Sequence, residues 1–251
     1  MIESFKNSRS NYGSRRIKID IYKKKGLVVS RRKIRRIMKQ NYLFSSYQEA
    51  QFKVCHKSKN YNREKVENIV DRQFNGRPFK EVLISDLTYI TVSNRTAYIC
   101  LITDLFNREI VGYSVGFNKT PQLVLEAFNK IKNLSEVKYF HTDRGTEFKN
   151  SEIDNLLKGY GISRSLSHPG TPYDNACAES LYDTLKIEFV KNQNFLSLKI
   201  LDSQLLDYIY WYNYSRLHSS LGYCSPIEYK TKKFLETGKI NVQTEFGLKN
   251  C

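Results

Sequence analysis

Between residues 79 and 191 the chain alternates short β-rich apolar runs with segments of helical period, and that order limits which folds are open to it. Val82-Leu83-Ile84 leads into Leu87, Tyr89, Ile90 and Val92, a first strand. Asn94-Arg95 marks a turn, residues 97–102 a second strand, Leu105-Phe106-Asn107-Arg108 another turn, and residues 110–115 a third strand. Residues 121–132 then carry Leu123, Val124, Ala127, Phe128 and Ile131 at helical spacing. Residues 137–140 form a short buried strand ending at His141-Thr142-Asp143, followed by a helix (151–158), a short strand (161–165) and a long helix (about 173–191). The order β-β-β-α-β-α-β-α predicts a mixed α/β layout on one central sheet. Further on, Leu198, Leu201, Leu205, Tyr208 and Tyr212 make the inner stripe of a C-terminal helix.

Charge divides the chain differently. Residues 1–60 hold seventeen Lys and Arg against Glu3, Asp20 and Glu49, so +14 of the total +16 sits in this block. Such concentration is the footprint of a nucleic-acid-binding arm, where a dispersed basic surface would be weaker evidence. Asn11-Tyr12-Gly13-Ser14 reads as a turn before Ile17 and Ile21, Gly26 breaks that segment, and Ser30 caps a second helix to Lys39. There Ile34, Ile37 and Met38 form an apolar stripe surrounded by Arg31, Arg32, Lys33, Arg35 and Arg36. A helix-break-helix with a basic second helix suits docking on DNA phosphates, with Arg15 and Arg16 as further candidates. Helices this few and short need a partner to bury against. The chain thus divides into a basic helical subdomain (1–45), a polar linker with one helical stretch (46–78), a core with its C-terminal helix (79–235) and a tail (236–251).

Other classes are excluded more simply. No apolar run approaches the ~20 residues of a membrane span, and the N-terminus has no secretory signal, so the expected setting is the cytoplasm. Five scattered cysteines without a C-x-x-C pair suggest neither a disulfide framework nor zinc; Cys55-His56 has no second pair.

Chemistry on phosphodiesters needs charge stabilised on the attacking and leaving oxygens, which two divalent ions held by hard carboxylate oxygens can do. Three acids have suitable settings. Asp86 interrupts the apolar first strand, a costly place for an acid unless it binds something or pairs outward. Asp143 follows a buried strand and precedes Arg144-Gly145, where it serves either as a ligand or as a turn cap. Glu179 lies on the helix after Gly170-Thr171-Pro172, beside the small Ala176, Cys177 and Ala178, with Lys186 seven residues on and nearly on the same face. Taken alone, Glu179 and Lys186 are also readable as two solvated charges. Asp104 reads better as a cap, Asp174 as an acid meeting the dipole at a helix N-terminus, Glu147 as a non-ligand, and His141 and His168 as structural or substrate-contacting groups.

The spacings connect the three acids. Asp86 and Asp143 are 57 positions apart, and 35 residues separate Asp143 from Glu179. In this the chain resembles the DDE transposase/retroviral integrase superfamily, and more narrowly the OrfB-type transposases of insertion sequences. The residues carrying the resemblance are Ser85-Asp86-Leu87-Thr88-Tyr89-Ile90, His141-Thr142-Asp143-Arg144-Gly145, and the run from Ser165 through Tyr173-Asp174-Asn175-Ala176-Cys177-Ala178-Glu179-Ser180. Tyr12-Gly13-Ser14-Arg15-Arg16-Ile17 is similar to the family's N-terminal helical region, and Trp211-Tyr212-Asn213 through Arg216-Leu217-His218 to Ser225-Pro226 to its C-terminal signature. Leu83 stands where members usually carry Trp, and Thr142 where Ser is usual.

The resemblance implies a ribonuclease-H-like, mixed five-stranded sheet flanked by helices. It also implies Asp86, Asp143 and Glu179 as catalytic metal ligands for two Mg²⁺ ions, with Mn²⁺ able to substitute, and Lys186 on a phosphate. The implied activity is DNA cleavage and strand transfer on double-stranded DNA, by a homo-oligomer working beside the product of an upstream reading frame. The rival readings are a catalytically silent DNA-binding regulator and a nuclease of ribonuclease-H type.

Overall fold

The computed structural model describes residues 1–48, 66–169, 171–191 and 193–238. The expected linker forms no helix over residues 66–78, and its residues 49–65, with 239–251 of the tail, lie outside the described residues. Among them, no helix is long and apolar enough to cross a membrane.

Five strands form one sheet: β1 (Val82–Val92), β2 (Arg95–Asp104), β3 (Ile110–Gly116), β4 (Tyr139–Thr142) and β5 (Ser163–Leu166), in the spatial order β3-β2-β1-β4-β5. The first three form the antiparallel meander, while β4 runs parallel to both β1 and β5. The first hairpin turns one residue earlier than its sequence suggests. Val92 pairs with Arg95, and Ser93 and Asn94 both take positive φ (44° and 63°), the geometry of a two-residue hairpin turn whose twist matches the strands.

Strand alternation divides the core between two faces. Leu83, Cys100 and Ile102 point to one face, where α4 (Pro121–Phe128) and α5 (Ser151–Gly159) cover them. Val82, Ile84, Ile90, Val92, Ile99 and Leu101 point to the other, beneath α6 (Ala176–Leu185) and α7 (Leu198–Tyr214). The α7 stripe is inward as expected, with Leu201, Leu205, Tyr208 and Tyr212 buried. A last helix, α8 (Pro226–Glu236), begins in a capping box between Ser225 and Glu228.

Two helices depart from the sequence expectation. The α4 helix stops at Phe128 rather than 132, where Asn129 caps it. The long helix expected over 173–191 is three pieces: a 3-10 turn (Pro172–Asn175), α6, and a π-helical turn (Lys186–Val190) in which the Lys191 N–H reaches the Lys186 carbonyl at 2.8 Å. Apolar period alone does not report a single widened turn.

The N-terminal block is α1 (Ile2–Asn7), α2 (Ser14–Lys25) and α3 (Arg31–Gln40). Ser30 caps α3 by accepting the Lys33 N–H, and Gly26 ends α2 at φ 64°. The six-residue α1 has no side-chain cap and is too short to leave a periodic signal. The partner these helices need is in the same chain. Phe5, Tyr12, Ile17, Ile34 and Met38 share one apolar cluster with Leu181, Leu205, Tyr208 and Trp211. Polar ties reinforce it: the Tyr12 hydroxyl accepts the Leu217 N–H (2.7 Å), and Trp211 Nε1 donates to the Asn7 carbonyl (3.0 Å).

Close packing on the opposite face is tightest at Gly112 of β3, where a Cβ would stand 2.4 Å from the Ala127 carbonyl oxygen of α4. Backbone cannot yield as a side-chain tip can. Gly112→Ala is therefore expected to lower the unfolding free energy by about 1–3 kcal/mol, read as a drop in the urea midpoint. An unchanged midpoint would mean that β3 and α4 tolerate separation.

Candidate active site

The register of β1 on β4 places the first two acids. Ile84 pairs with His141 and Ser85 with Thr142, the last pair, so Asp86 of β1 and Asp143, the first residue past β4, both follow directly on that pair. By alternation Asp86 belongs to the Ile84 face, which α6 covers through Ala178, and both acids lie near enough to act on the buried Tyr182 of α6. Both are half-buried. Asp86 Oδ1 accepts its neighbour's N–H from Leu87 (2.7 Å), and Asp143 Oδ1 accepts that of Gly145 (2.9 Å). Asp143 thus caps its turn, one of the two readings open to it from sequence.

Tyr182 fastens α6 to this edge. Its hydroxyl accepts the Leu101 N–H of β2 at 2.9 Å and donates to the Asp86 carbonyl of β1. Burial, with the neighbouring Cys100, Asp86 and Asp143, holds the phenol well above its usual pKa, so it remains a donor. Glu179 lies three residues earlier, in the first turn of α6, and is exposed. Asp183 and Lys186, four and seven positions on from Glu179, are exposed as well, one polar side along the helix.

The approach to α6 is built from the other motif residues. Asp174 stands in the first turn of the 3-10 segment that leads into α6, at the helix N-terminus as expected, and Asn175 after it makes no side-chain cap. The Asp174 carboxylate accepts the His168 N–H (3.0 Å), Asn68 Nδ2 (2.9 Å) and Arg72 Nε (2.7 Å). Burial works to raise its pKa, but these donors, Arg72 foremost, outweigh it and hold the carboxyl below the usual range. Residues 67–70 meet β5, where the Ser165 hydroxyl accepts the Ile69 N–H and the Leu166 N–H meets the Glu67 carbonyl.

His141 is structural. It is fully buried, with Nδ1 2.9 Å from Ser165 Oγ and Nε2 3.0 Å from the Asp174 carbonyl, and burial lowers its pKa to about 4. Asp104 is the cap expected of it, accepting the Phe106 and Lys80 N–H groups; burial raises its pKa to about 6. Glu147 is buried, lies over Gly145 and pairs with Lys119 at 3.0 Å.

The basic candidates fall into two sets. Arg15, Arg32, Lys33, Arg35 and Arg36 are exposed and Arg31 is half-buried. Arg16 turns inward, over the Tyr12 and Tyr47 rings and 3.6 Å from Glu188. Arg35 and Lys39 of α3, with Arg15, also border an open cleft of about 770 Å³ whose wall includes Met38, Leu43 and Phe44.

Similarity to known proteins agrees with this geometry. Sequence profiles described as "Integrase core domain" match residues 80–172 and 179–234, and one described as "HTH-like domain" matches residues 1–51. The chain belongs to the integrase-core transposases of insertion sequences. It is 29% identical to the transposase for insertion sequence element IS904 of Lactococcus lactis subsp. lactis, over 90% of either chain. It is 30% identical to the transposase InsF for insertion sequence IS3A of Escherichia coli, over 66% of this chain and 59% of that one. Among solved structures, the transposase resembles a chain of the simian T-cell lymphotropic virus intasome in complex with PP2A regulatory subunit B56 gamma. That match has TM-score 0.50 and 15% identity, covering 65% of this chain and 56% of the other; it speaks to fold alone. The ribonuclease-H-like, five-stranded expectation is met, and the transposase is an enzyme of the transposase/integrase type.

Sequence reasoning missed Tyr182, and it missed the clasp of Asn68 and Arg72 on Asp174. A tyrosine one turn after Glu179 was the available signal for the first; nothing local points to the second.

The buried imidazole gives a pH test. In the unfolded chain it titrates near pH 6.5, whereas the folded chain resists protonation down to about 4. The stability tied to its neutral form is therefore complete above about pH 6.5 and lost as pH falls toward 4. Between about pH 7 and pH 5 the native chain should lose about 2 kcal/mol more than His141→Gln in denaturant titrations. Parallel losses would count against a buried neutral ring.

Proposed function

We propose that this transposase cuts DNA at the ends of its element and joins them to a target duplex, with Asp86, Asp143 and Glu179 holding two Mg²⁺ ions. The observation that carries the reading is the parallel pairing of β1 with β4 up to Ser85 and Thr142, directly before Asp86 and Asp143, under a helix tied to Asp86 by Tyr182. The donor set suits a hard divalent cation, since every ligand is a carboxylate oxygen. Among the described residues no group of three or more His, Cys, Asp or Glu is already arranged to hold an ion. Three like charges repel, and a cation is the natural agent to draw them together.

When bound, paired Mg²⁺ ions supply stabilisation for the attacking and leaving oxygens of an in-line displacement. The chain's own residues supply position. Asp86 and Asp143 fix two ligands on the rigid sheet, and Glu179 brings a third from α6. Lys186, exposed on the Glu179 side, offers a cation to a nearby phosphate. Residues 1–45 serve as the DNA-docking part and residues 79–235 as the catalytic core. Arg15, Arg31, Arg32, Lys33, Arg35 and Arg36 bind backbone phosphates, and Arg16, turned inward, is left out of that set.

Asp143→Asn is expected to reduce joining of a pre-nicked element end by at least about a hundredfold while leaving DNA affinity within about twofold. Saturating Mg²⁺ should raise the melting temperature of the native chain and not that of the variant. Joining at the native rate would sink the carboxylate assignment. Hydrolysis without joining in the native chain would favour the nuclease reading, and binding without either reaction the regulator.

A further inference from the structure

The mechanism leaves one strongly built cluster unused. Glu188 lies in the π-helical turn at the far end of α6 and its side chain is wholly inaccessible; that of Arg216, just after α7, is 4% exposed. The guanidinium grips the carboxylate as a fork, Nε to Oε2 at 2.7 Å and Nη2 to Oε1 at 2.8 Å. Tyr47 donates to Oε1 at 2.6 Å and Tyr208 to Oε2 at 3.2 Å, so both oxygens are satisfied. Arg216 also meets the His218 ring at 3.1 Å and the Tyr212 face. Burial, and then Arg216, press the His218 pKa well below its usual value, so that ring stays neutral beside the cation.

A buried ion pair is a weak source of stability, because desolvation offsets most of the attraction. What it does well is to specify one arrangement, since any other leaves a charge unpaired. Three features say what is specified here. First, Glu188 is nine residues beyond Glu179, about half a revolution round a helix, so the inward grip on one sets the outward aim of the other. Second, Tyr182 pins the same helix nearer its start, and two pins on one rod fix its rotation as well as its place. Third, two of the groups on Glu188 come from the N-terminal side of the chain, Arg16 from the docking part and Tyr47 from the stretch just after it. Lys191, closing the π turn, reaches the Ser46 carbonyl from the same side at 3.4 Å.

We propose that Glu188, clamped by Arg216 and Tyr47, is a positioning residue for Glu179, through which the N-terminal docking helices and the stretch just after them set the geometry of the third carboxylate. The proposal rests on the assignment of Glu179 as a metal ligand. It gives the Arg216-Leu217-His218 part of the C-terminal signature a task remote from the reacting atoms. It also makes the N-terminal region part of the working core as well as a docking arm.

The test uses the full chain. Glu188→Leu combined with Arg216→Met removes both charges together, and so leaves neither one buried alone. Tyr47→Phe removes only the hydroxyl contributed by the N-terminal region. Mn²⁺ affinity is read from the electron paramagnetic resonance signal of unbound ion, DNA affinity from element-end binding, and strand cleavage as a function of Mg²⁺ concentration. The double variant should bind Mn²⁺ at least about tenfold more weakly and need correspondingly more Mg²⁺ for half-maximal cleavage, with DNA affinity within about twofold of native. Tyr47→Phe should shift both in the same direction by about two- to fivefold, and this variant carries the test if the double variant does not fold. Native Mn²⁺ affinity and Mg²⁺ requirement in a folded variant would overturn the proposal. Glu179→Gln is measured alongside: unaltered Mn²⁺ binding there would refute the ligand assignment itself, whereas weakened binding there with native behaviour in the cluster variants would refute only the positioning role.

Discussion

The parallel pairing of β1 with β4 is the constraint on which the site depends. Four register pairs, ending at Ser85 with Thr142, bring Asp86 and Asp143 out side by side at that end of the sheet, near Tyr182 of α6. A slip of one residue in β1 would send Asp86 to the opposite face, among the apolar residues beneath α4 and α5. That register is secured by burial on both sides, because Leu83 and Phe140 point one way while Val82, Ile84 and His141 point the other. His141 adds a polar lock, tying β4 to Ser165 of β5 and to the Asp174 carbonyl ahead of α6. The acids are held by a core that would be fixed without them.

Around that pair the third carboxylate is carried differently. Glu179 stands on a helix that crosses the sheet, and a helix can rotate or slide where a central strand cannot. The fold answers with polar fastenings on α6: Tyr182 to the backbone of β1 and β2, and Glu188 to Arg216 and Tyr47. Apolar packing of Ala178, Leu181 and Leu185 supplies adhesion but little angular preference, since side chains of this kind tolerate small rotations. Hydrogen bonds with fixed directions supply the rest. The 3-10 turn before α6 serves the same end, with Asp174 gathering donors from His168, Asn68 and Arg72.

The motif residues prove to have mixed duties. Within Tyr173-Asp174-Asn175-Ala176-Cys177-Ala178-Glu179, Ala178 touches the sheet and Asp174 braces the approach, while Glu179 alone offers an exposed carboxylate. In the C-terminal signature Trp211, Tyr212, Asn213, Arg216 and His218 are all buried, and Asn213 bonds both the N–H and the carbonyl of Ile110. A run rich in polar and aromatic residues near the chain's end invites a surface role; here it is the inner lining between α7, β3 and the N-terminal helices.

By itself the sequence determined the succession of strands and helices along the core, the helix start at Arg31, the inward stripe of α7 and the three acids with their spacing. These are local or periodic features: an apolar alternation, a cap, a count of residues. Only the tertiary structure decided that the N-terminal helices share a core with α7, that Arg16 faces inward, that Asp174 clasps residues 68 and 72, and that α6 opens into a π turn at Lys186. Each of these joins groups far apart in the chain, Tyr47 to Glu188 across 141 positions and Arg72 to Asp174 across 102. Such pairs leave no mark on local period or propensity, because the free energy that makes them appears only once burial has removed water from both partners.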